Sequence, residues 1–477
     1  LFVEADRDTR IRLAGTVGAA REGTAELQIQ DGAIQLSAGR HVISLRGWDG
    51  FGKLAALTPQ AFAAAGRAAD QRLAEARGRA GQEEIQGLQV QTVKLDMAVA
   101  VLVVADVTGD ATAEWLVGGD KGVAVYKPDG TRLWLFATEE PVQCLDVADL
   151  DGDGTPEVAV GGADEHVRVL DANGRERWSF RCKASQGSID GPPAVDYVNV
   201  VDLEGDGKKE LVVGANWVHV LDAAGKLKWE KYMAVRRGRI SGDFVAGDVA
   251  DLDGDGTQEV IGLFMTSYPL AIAYDADGNI VMPADGPGGH GGLNIDVPFS
   301  VATMDLFGGQ TTKQIVSGGT SQIGLYWHDQ KNKEQAGGQV GGTFVSMAHW
   351  QPDPAQRPTI FGADSMCGVW AIRPEPRRND RWITANAVWY RSLDEKITRL
   401  LATDLDGDGS GEVVAGTKTG SIYVLSAEDG SVRGRAKSER PTAAGGTGVT
   451  SLAWDGASQS VLVGRGDGSV LRVQAKP

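Results

Sequence analysis

The chain has 477 residues, of which 65 are glycine and only 17 proline, and 42% are apolar. This length exceeds the ~250–300 residues at which a single core stops growing, so several domains or one large repeat array is expected, and the composition argues against a collagen-like or disordered chain. A formal charge of −17 speaks against nucleic acid as a partner, which would need basic patches, and no apolar run approaches the roughly 18 residues of a transmembrane segment.

The chain opens at Leu1 inside a strand-like stretch, with no basic-then-apolar leader, which leaves open a removed signal peptide or an upstream domain. Residues 1–54 contain the alternating stretches TRIRLAG, AELQIQDG, AIQLSAG and HVISLRGW, which predict a small β module, the end of a sandwich. Residues 55–85 read as a helical linker, with a helix over 58–80. Thr58 can cap it, Pro59 suits its first position, and Ala, Leu, Arg and Glu fill it.

From residue 86 a repeated unit takes over. Its clearest copies are Leu145 to Trp178 (LDVADLDGDGTPEVAVGGADEHVRVLDANGRERW), Val198 to Trp229 (VNVVDLEGDGKKELVVGANWVHVLDAAGKLKW) and Val103 to Trp134. Weaker copies begin near Val245, Ser300, Phe344, Thr398 and Val449, giving starts roughly 43 to 55 residues apart, a spacing suited to four-stranded blades. Runs such as VAVGG and LVVGA are β-branched and bounded by turn residues, and DANG, DAAG and DADG supply hairpins. The predicted fold is therefore all-β: an eight-bladed β-propeller over 86–477, with seven as the alternative count. The last unit has room for three strands, so Gln86–Leu95 (QGLQVQTVKL) is expected to complete it and close the ring.

The strongest chemical signal is a set of acidic loops. Asp149, Asp151 and Asp153 alternate along DLDGDGTPE with Glu157 following; Asp251, Asp253, Asp255 and Glu259 repeat the pattern, as do Asp404, Asp406, Asp408 and Glu412. Asp202, Glu204, Asp206 and Glu210 form a near copy, and Asp106, Asp110 and Glu114 keep most of it with Thr108 in one place. Oxygen ligands at alternate positions, with glycines letting the chain wrap, suit a hard cation such as Ca2+. Three to five structural sites are expected. DLFGGQTTK from Asp305 and WQPDPAQRP have lost most ligands and should hold none.

The flanks are strands and the last acid arrives too early for a helix–loop–helix site. The loops instead resemble those of FG-GAP and VCBS-type repeats, including the integrin α-chain propeller, and this resemblance implies calcium-stabilised blades. The Asp-x-x-Gly turn followed by Trp, as in LDANGRERW, is also similar to quinoprotein-like propeller blades, though it carries no cofactor site with it.

Function is expected on the long connections between blades. These hold Tyr232, Arg236, Arg237 and Arg239, His290, and Arg381, Trp389, Tyr390 and Arg391. Aromatic planes beside guanidinium forks suit sugars or acidic glycans, yet the plainer reading of Trp389 and Tyr390 is as strand residues packed between blades. The function predicted is a secreted, cell-surface or periplasmic binding module for a glycan or partner protein. The alternatives are a polysaccharide lyase acting on acidic glycans, with His290, Tyr232 and Arg236 as candidates, and a structural component of a surface assembly. Cys144, Cys182 and Cys367 are too few for a disulfide framework and read as core residues, with a Cys144–Cys182 bridge as the alternative.

Overall fold

The computed structural model describes residues 2–5, 9–12, 19–22, 25–30, 33–36 and 39–46, then 88–475 apart from 184–193, 232–242, 266–269, 283–299, 319–322, 330–331, 339–343, 366, 377–382 and 437–447. The chain divides into two compact units, Leu1–Glu84 and Ile85–Pro477. Among the described residues there is no helix; the helix expected over 58–80 lies outside them.

In the first unit, Phe2–Ala5, Gly39–Arg46, Ala19–Glu22 and Ala25–Leu27 form one sheet in that order, and Thr9–Arg12, Ala33–Leu36 and Ile29–Gln30 form another. All pairings are antiparallel. The alternating stretches of the sequence are these strands.

Among its described residues the second unit forms eight four-stranded antiparallel sheets, numbered first to eighth in chain order. Their innermost strands are Val101–Ala105, Val142–Ala148, Tyr197–Val201, Asp243–Ala250, Ser300–Met304, Phe344–Trp350, Ile397–Thr403 and Val449–Asp455. Each touches the innermost strand of the next sheet, and the eighth touches the first. The ring is a β-propeller. The eighth sheet takes its fourth strand from the other end of the unit: Leu88–Lys94 pairs with Ser469–Ala475, Val90 opposite Val473.

Burial explains the pattern of each strand. Second strands such as Glu114–Gly119, Glu157–Gly162 and Glu412–Thr417 are buried at every position, because both faces of the sheet pack on neighbours. They therefore read as continuous apolar runs rather than alternations. Each fully buried Val or Leu contributes ~1.5–3 kcal/mol, and the resulting clusters pair adjacent sheets, as with Val107, Leu116 and Val125 against Leu145, Val158 and Leu170.

Two devices join sheet to sheet. Outer-strand tryptophans reach the hairpin turn of the following sheet: the indole N–H of Trp134 donates to the Ala172 carbonyl at 2.9 Å, Trp178 to Ala223 at 3.0 Å, Trp229 to Ala276 at 2.7 Å and Trp389 to Ala427 at 3.0 Å. The turn must be bare to admit the ring. Gly225 has φ +78°, and a Cβ there would stand 2.6 Å from the Trp178 ring, so only glycine meets both demands. At the inner edge, backbone N–H groups that a sheet edge would leave unpaired are caught by side chains of the preceding sheet. Val200 donates to Asp146 at 2.7 Å, Thr303 to Asp248 at 2.7 Å, Leu400 to Ser346 at 3.0 Å and Leu102 to Ser451 at 3.1 Å. These lie at every second junction.

Candidate metal centres

The acidic loops connect the first and second strands of their sheets, and their own hydrogen bonds fold them. In the second sheet both oxygens of Asp149 accept backbone N–H bonds, from Gly152 at 2.8 Å and Gly154 at 3.0 Å. In the fourth, Gly254 and Gly256 donate to Asp251 at 2.5 and 3.1 Å; in the seventh, Gly407 and Gly409 donate to Asp404 at 2.7 and 2.9 Å. The first aspartate thus winds the loop around itself. Glycines with φ between +75° and +92° make the turn, a region that costs other residues strain.

The closing glutamate begins the second strand and is buried. Its Oε2 accepts the N–H of the residue after the first aspartate: Val107 to Glu114, Leu150 to Glu157, Leu203 to Glu210, Leu252 to Glu259 and Leu405 to Glu412, at 2.7–3.2 Å. Oε1 of Glu412 is buried and has no hydrogen-bond partner, the condition a bound cation would relieve.

Oxygens of Asp149, Asp151 and Glu157 lie within 4.8 Å of one another, as do those of Asp251, Asp253 and Asp255, and of Asp404, Asp406 and Glu412. Oxygens on opposite sides of Ca2+, each about 2.4 Å away, stand about that far apart. Together with the all-oxygen donor set and the orphaned Glu412 oxygen, this spacing fits a hard cation. Burial, reinforced by Asp253, Asp251 and Asp255, pushes Glu259 up to about 7 against the Leu252 hydrogen bond. Burial likewise pushes Glu412 up to about 7, with Asp406 and Asp408 adding to the rise and Arg433 and the Leu405 bond opposing it. Like charges and low polarity both disfavour an ionised glutamate, and a divalent cation would reverse the balance.

The near copies differ. Asp202 receives Asp206 and Gly207 N–H bonds, and in the first sheet Asp106 receives Gly109 and Ala111 while the Thr108 hydroxyl donates to Glu114 at 3.3 Å. In the fifth sheet Asp305 accepts from Phe307, Gly308 and Gln310, and Gln314 takes the place of the closing glutamate, accepting from Leu306 at 2.7 Å. The glutamine keeps the scaffold and omits the charge.

The residues proposed for ligand binding fare differently. Tyr232, Arg236, Arg237, Arg239, His290 and Arg381 lie outside the described residues. Trp389 is 5% exposed: its indole lies against Phe361 and bonds Ala427 across the sixth and seventh sheets, so it offers no free face for a sugar. Tyr390 is half-buried and packs on Trp370, centroids 4.7 Å apart, while Arg391 Nε donates to the Gly430 carbonyl at 2.8 Å. Trp389 and Arg391 thus tie the sixth sheet to the seventh, while Tyr390 packs on its cross-strand neighbour within the sixth. His219 is fully buried, edge-on to Phe180, and burial pushes it down to about 4, which leaves a neutral core imidazole. The Cys144–Cys182 bridge is not formed; both thiols are free, Cys144 Sγ donating to the Val195 carbonyl at 3.1 Å.

Residues 149–213 match the family model of the FG-GAP-like repeat. No curated protein sequence matches the chain. Among solved structures it is similar to BamB from Moraxella catarrhalis (14% identity, 82% of this chain and 100% of that chain, TM-score 0.53). It is also similar to Chaetomium thermophilum Sqt1 bound to the N-terminus of the ribosomal protein L10 (13% identity, 80% and 97%, TM-score 0.55). Saccharomyces cerevisiae Sqt1 is a third (12% identity, 80% and 96%, TM-score 0.56). At such identities the likeness is one of fold. Taken with the ring of sheets, these matches make the second unit a repeat β-propeller carrying an FG-GAP-like stretch in its second and third sheets.

Proposed function

We propose that this chain is a calcium-stabilised propeller that serves as a binding module for a protein partner in an extracellular or periplasmic compartment. The observation that carries the reading is the repetition of the carboxylate loops, each at the same strand crossover and each tied to its backbone by a buried glutamate. A catalytic metal needs one open, distinctive site; a motif that recurs with the sheet serves the sheet. Outside cells the free ion is plentiful enough to fill weak sites. The protein-binding part draws on the fold: a structurally similar propeller, Chaetomium Sqt1, binds the N-terminus of a ribosomal protein.

Two measurements test it. Melting in calcium and in excess chelator should differ markedly, and an unchanged curve would remove the calcium. Cross-linking in the native extract, followed by reconstitution with the purified partner, should give a saturable complex. A purified chain that instead binds only glycans on an array, or generates unsaturated uronate from an acidic polysaccharide, would overturn the protein-binding reading.

A further inference from the structure

A β-bulge recurs at one place in the fourth strand. The pairing of the third and fourth strands shifts register between Val125 and Tyr126, Val169 and Leu170, Val220 and Leu221, Ala273 and Tyr274, and Val424 and Leu425. The residue left over is Leu133 in the first sheet, Arg177 in the second, Lys228 in the third, Val281 in the fourth and Arg433 in the seventh. A bulge re-aims the side chain it carries, and in the second, third and seventh sheets that side chain reaches the acidic loop of the same sheet. Arg177 places Nη2 2.6 Å from Asp151 Oδ2 and Nη1 2.5 Å from Glu157 Oε1. Lys228 Nζ lies 2.5 Å from Glu204 Oε1 and 3.0 Å from Glu210 Oε1. Arg433 stands off at 3.8 Å from Glu412 Oε1, and Val281 brings no charge at all.

We infer that the bulge residue sets the metal dependence of each loop: Arg177 and Lys228 act as built-in counter-ions for the second and third sheets, whereas the fourth-sheet loop depends on an added cation. The inference rests on the calcium reading above. Asp151 and Glu157 belong to the group of oxygens that would hold a metal, and the guanidinium already engages both with charge-assisted bonds. A calcium ion entering that loop must displace Arg177 and meet its repulsion. In the fourth loop the carboxylates of Asp251, Asp253 and Asp255 converge with no bulge cation between them, so the ion meets undiminished negative charge. Calcium should fill the fourth loop first, the seventh next, and the second and third last.

The test exchanges bulge residues. Arg177→Leu copies the residue found at this bulge in the first sheet, and Val281→Arg copies that of the second. Calcium titration calorimetry of the whole chain should show Arg177→Leu gaining one site in the tight class, its affinity raised at least about tenfold, and Val281→Arg losing one by a similar factor, since a unit charge about 4 Å from a divalent ion is felt even through water. In chelator, Arg177→Leu should melt below the wild type and recover on adding calcium. The two variants fail or fold independently, and Arg177→Gln stands in for the first if needed. Calcium uptake with unchanged constants in both variants overturns this inference alone; no uptake by the wild type overturns the calcium reading together with it.

Discussion

The fourth and fifth sheets carry the same loop built twice, once with its full set of carboxylates and once without. In both, the first aspartate receives the loop's backbone N–H groups: Gly254 and Gly256 on Asp251, and Phe307, Gly308 and Gln310 on Asp305. In both, a buried side chain at the start of the second strand accepts the N–H of the next leucine at 2.7 Å, Glu259 from Leu252 and Gln314 from Leu306. What differs is the middle, where Asp253 and Asp255 face Phe307 and Gly309. Folding the loop therefore falls to residues whose hydrogen-bonding role both sheets keep, whereas the added charge of Asp253 and Asp255 belongs to the fourth sheet alone.

The largest effect should come from the shared scaffold. Asp251→Ala and Asp305→Ala each strand two or more backbone N–H groups that now bond a carboxylate, and each should cost about 2–3 kcal/mol. Denaturant unfolding in chelator would measure both. Equal costs support the separation; a cost confined to Asp305→Ala would mean that Asp251 serves only the cation.

A crossed pair of substitutions comes next. Glu259→Gln keeps an acceptor for Leu252 and removes a carboxyl that burial and the neighbouring aspartates hold near 7. A glutamate raised above its unfolded value of about 4.5 contributes stability below that pH and loses it as pH rises through about 7. Without metal, Glu259→Gln should thus match the wild type near pH 4 and exceed it by about 1–2 kcal/mol at pH 8. With calcium the order should reverse. The mirror substitution Gln314→Glu should destabilise the fifth sheet above pH 7 whether or not calcium is present, since no Asp253 or Asp255 accompanies it. Thermal melts across pH with and without chelator decide both.

Much of this comparison is readable from the chain itself. The strands announce themselves because burial on both faces leaves unbroken runs such as EVAVGG, and the loops do so because a cation needs oxygens at alternate positions. Arg177 and Lys228 were less visible. Each precedes a tryptophan in RERW and KLKW, yet what they touch depends on a bulge and on cross-strand register, which no local spacing encodes. Trp389 misleads for a related reason. Flanked by Tyr390 and Arg391 it resembles a stacking platform, while its actual partner, the Ala427 carbonyl, lies in the hairpin of the next sheet. No Asp-x-x-Gly turn stands ahead of Trp389 to align it with Trp134, Trp178 and Trp229.

The smallest expected effect is the most discriminating. Asp253→Asn retains the oxygen that accepts the Asp255 N–H at 3.2 Å, so the loop keeps its shape, and its melting curve in chelator should overlay that of the wild type. Only the response to calcium should fall. If the middle aspartates also held the fold, the variant would melt early without metal, and the division of labour between the fourth and fifth sheets would be lost. If instead the calcium response survived intact, Asp251, Asp255 and Glu259 would have to hold the ion without Asp253, and the missing carboxylates of the fifth sheet would no longer explain why its loop should differ.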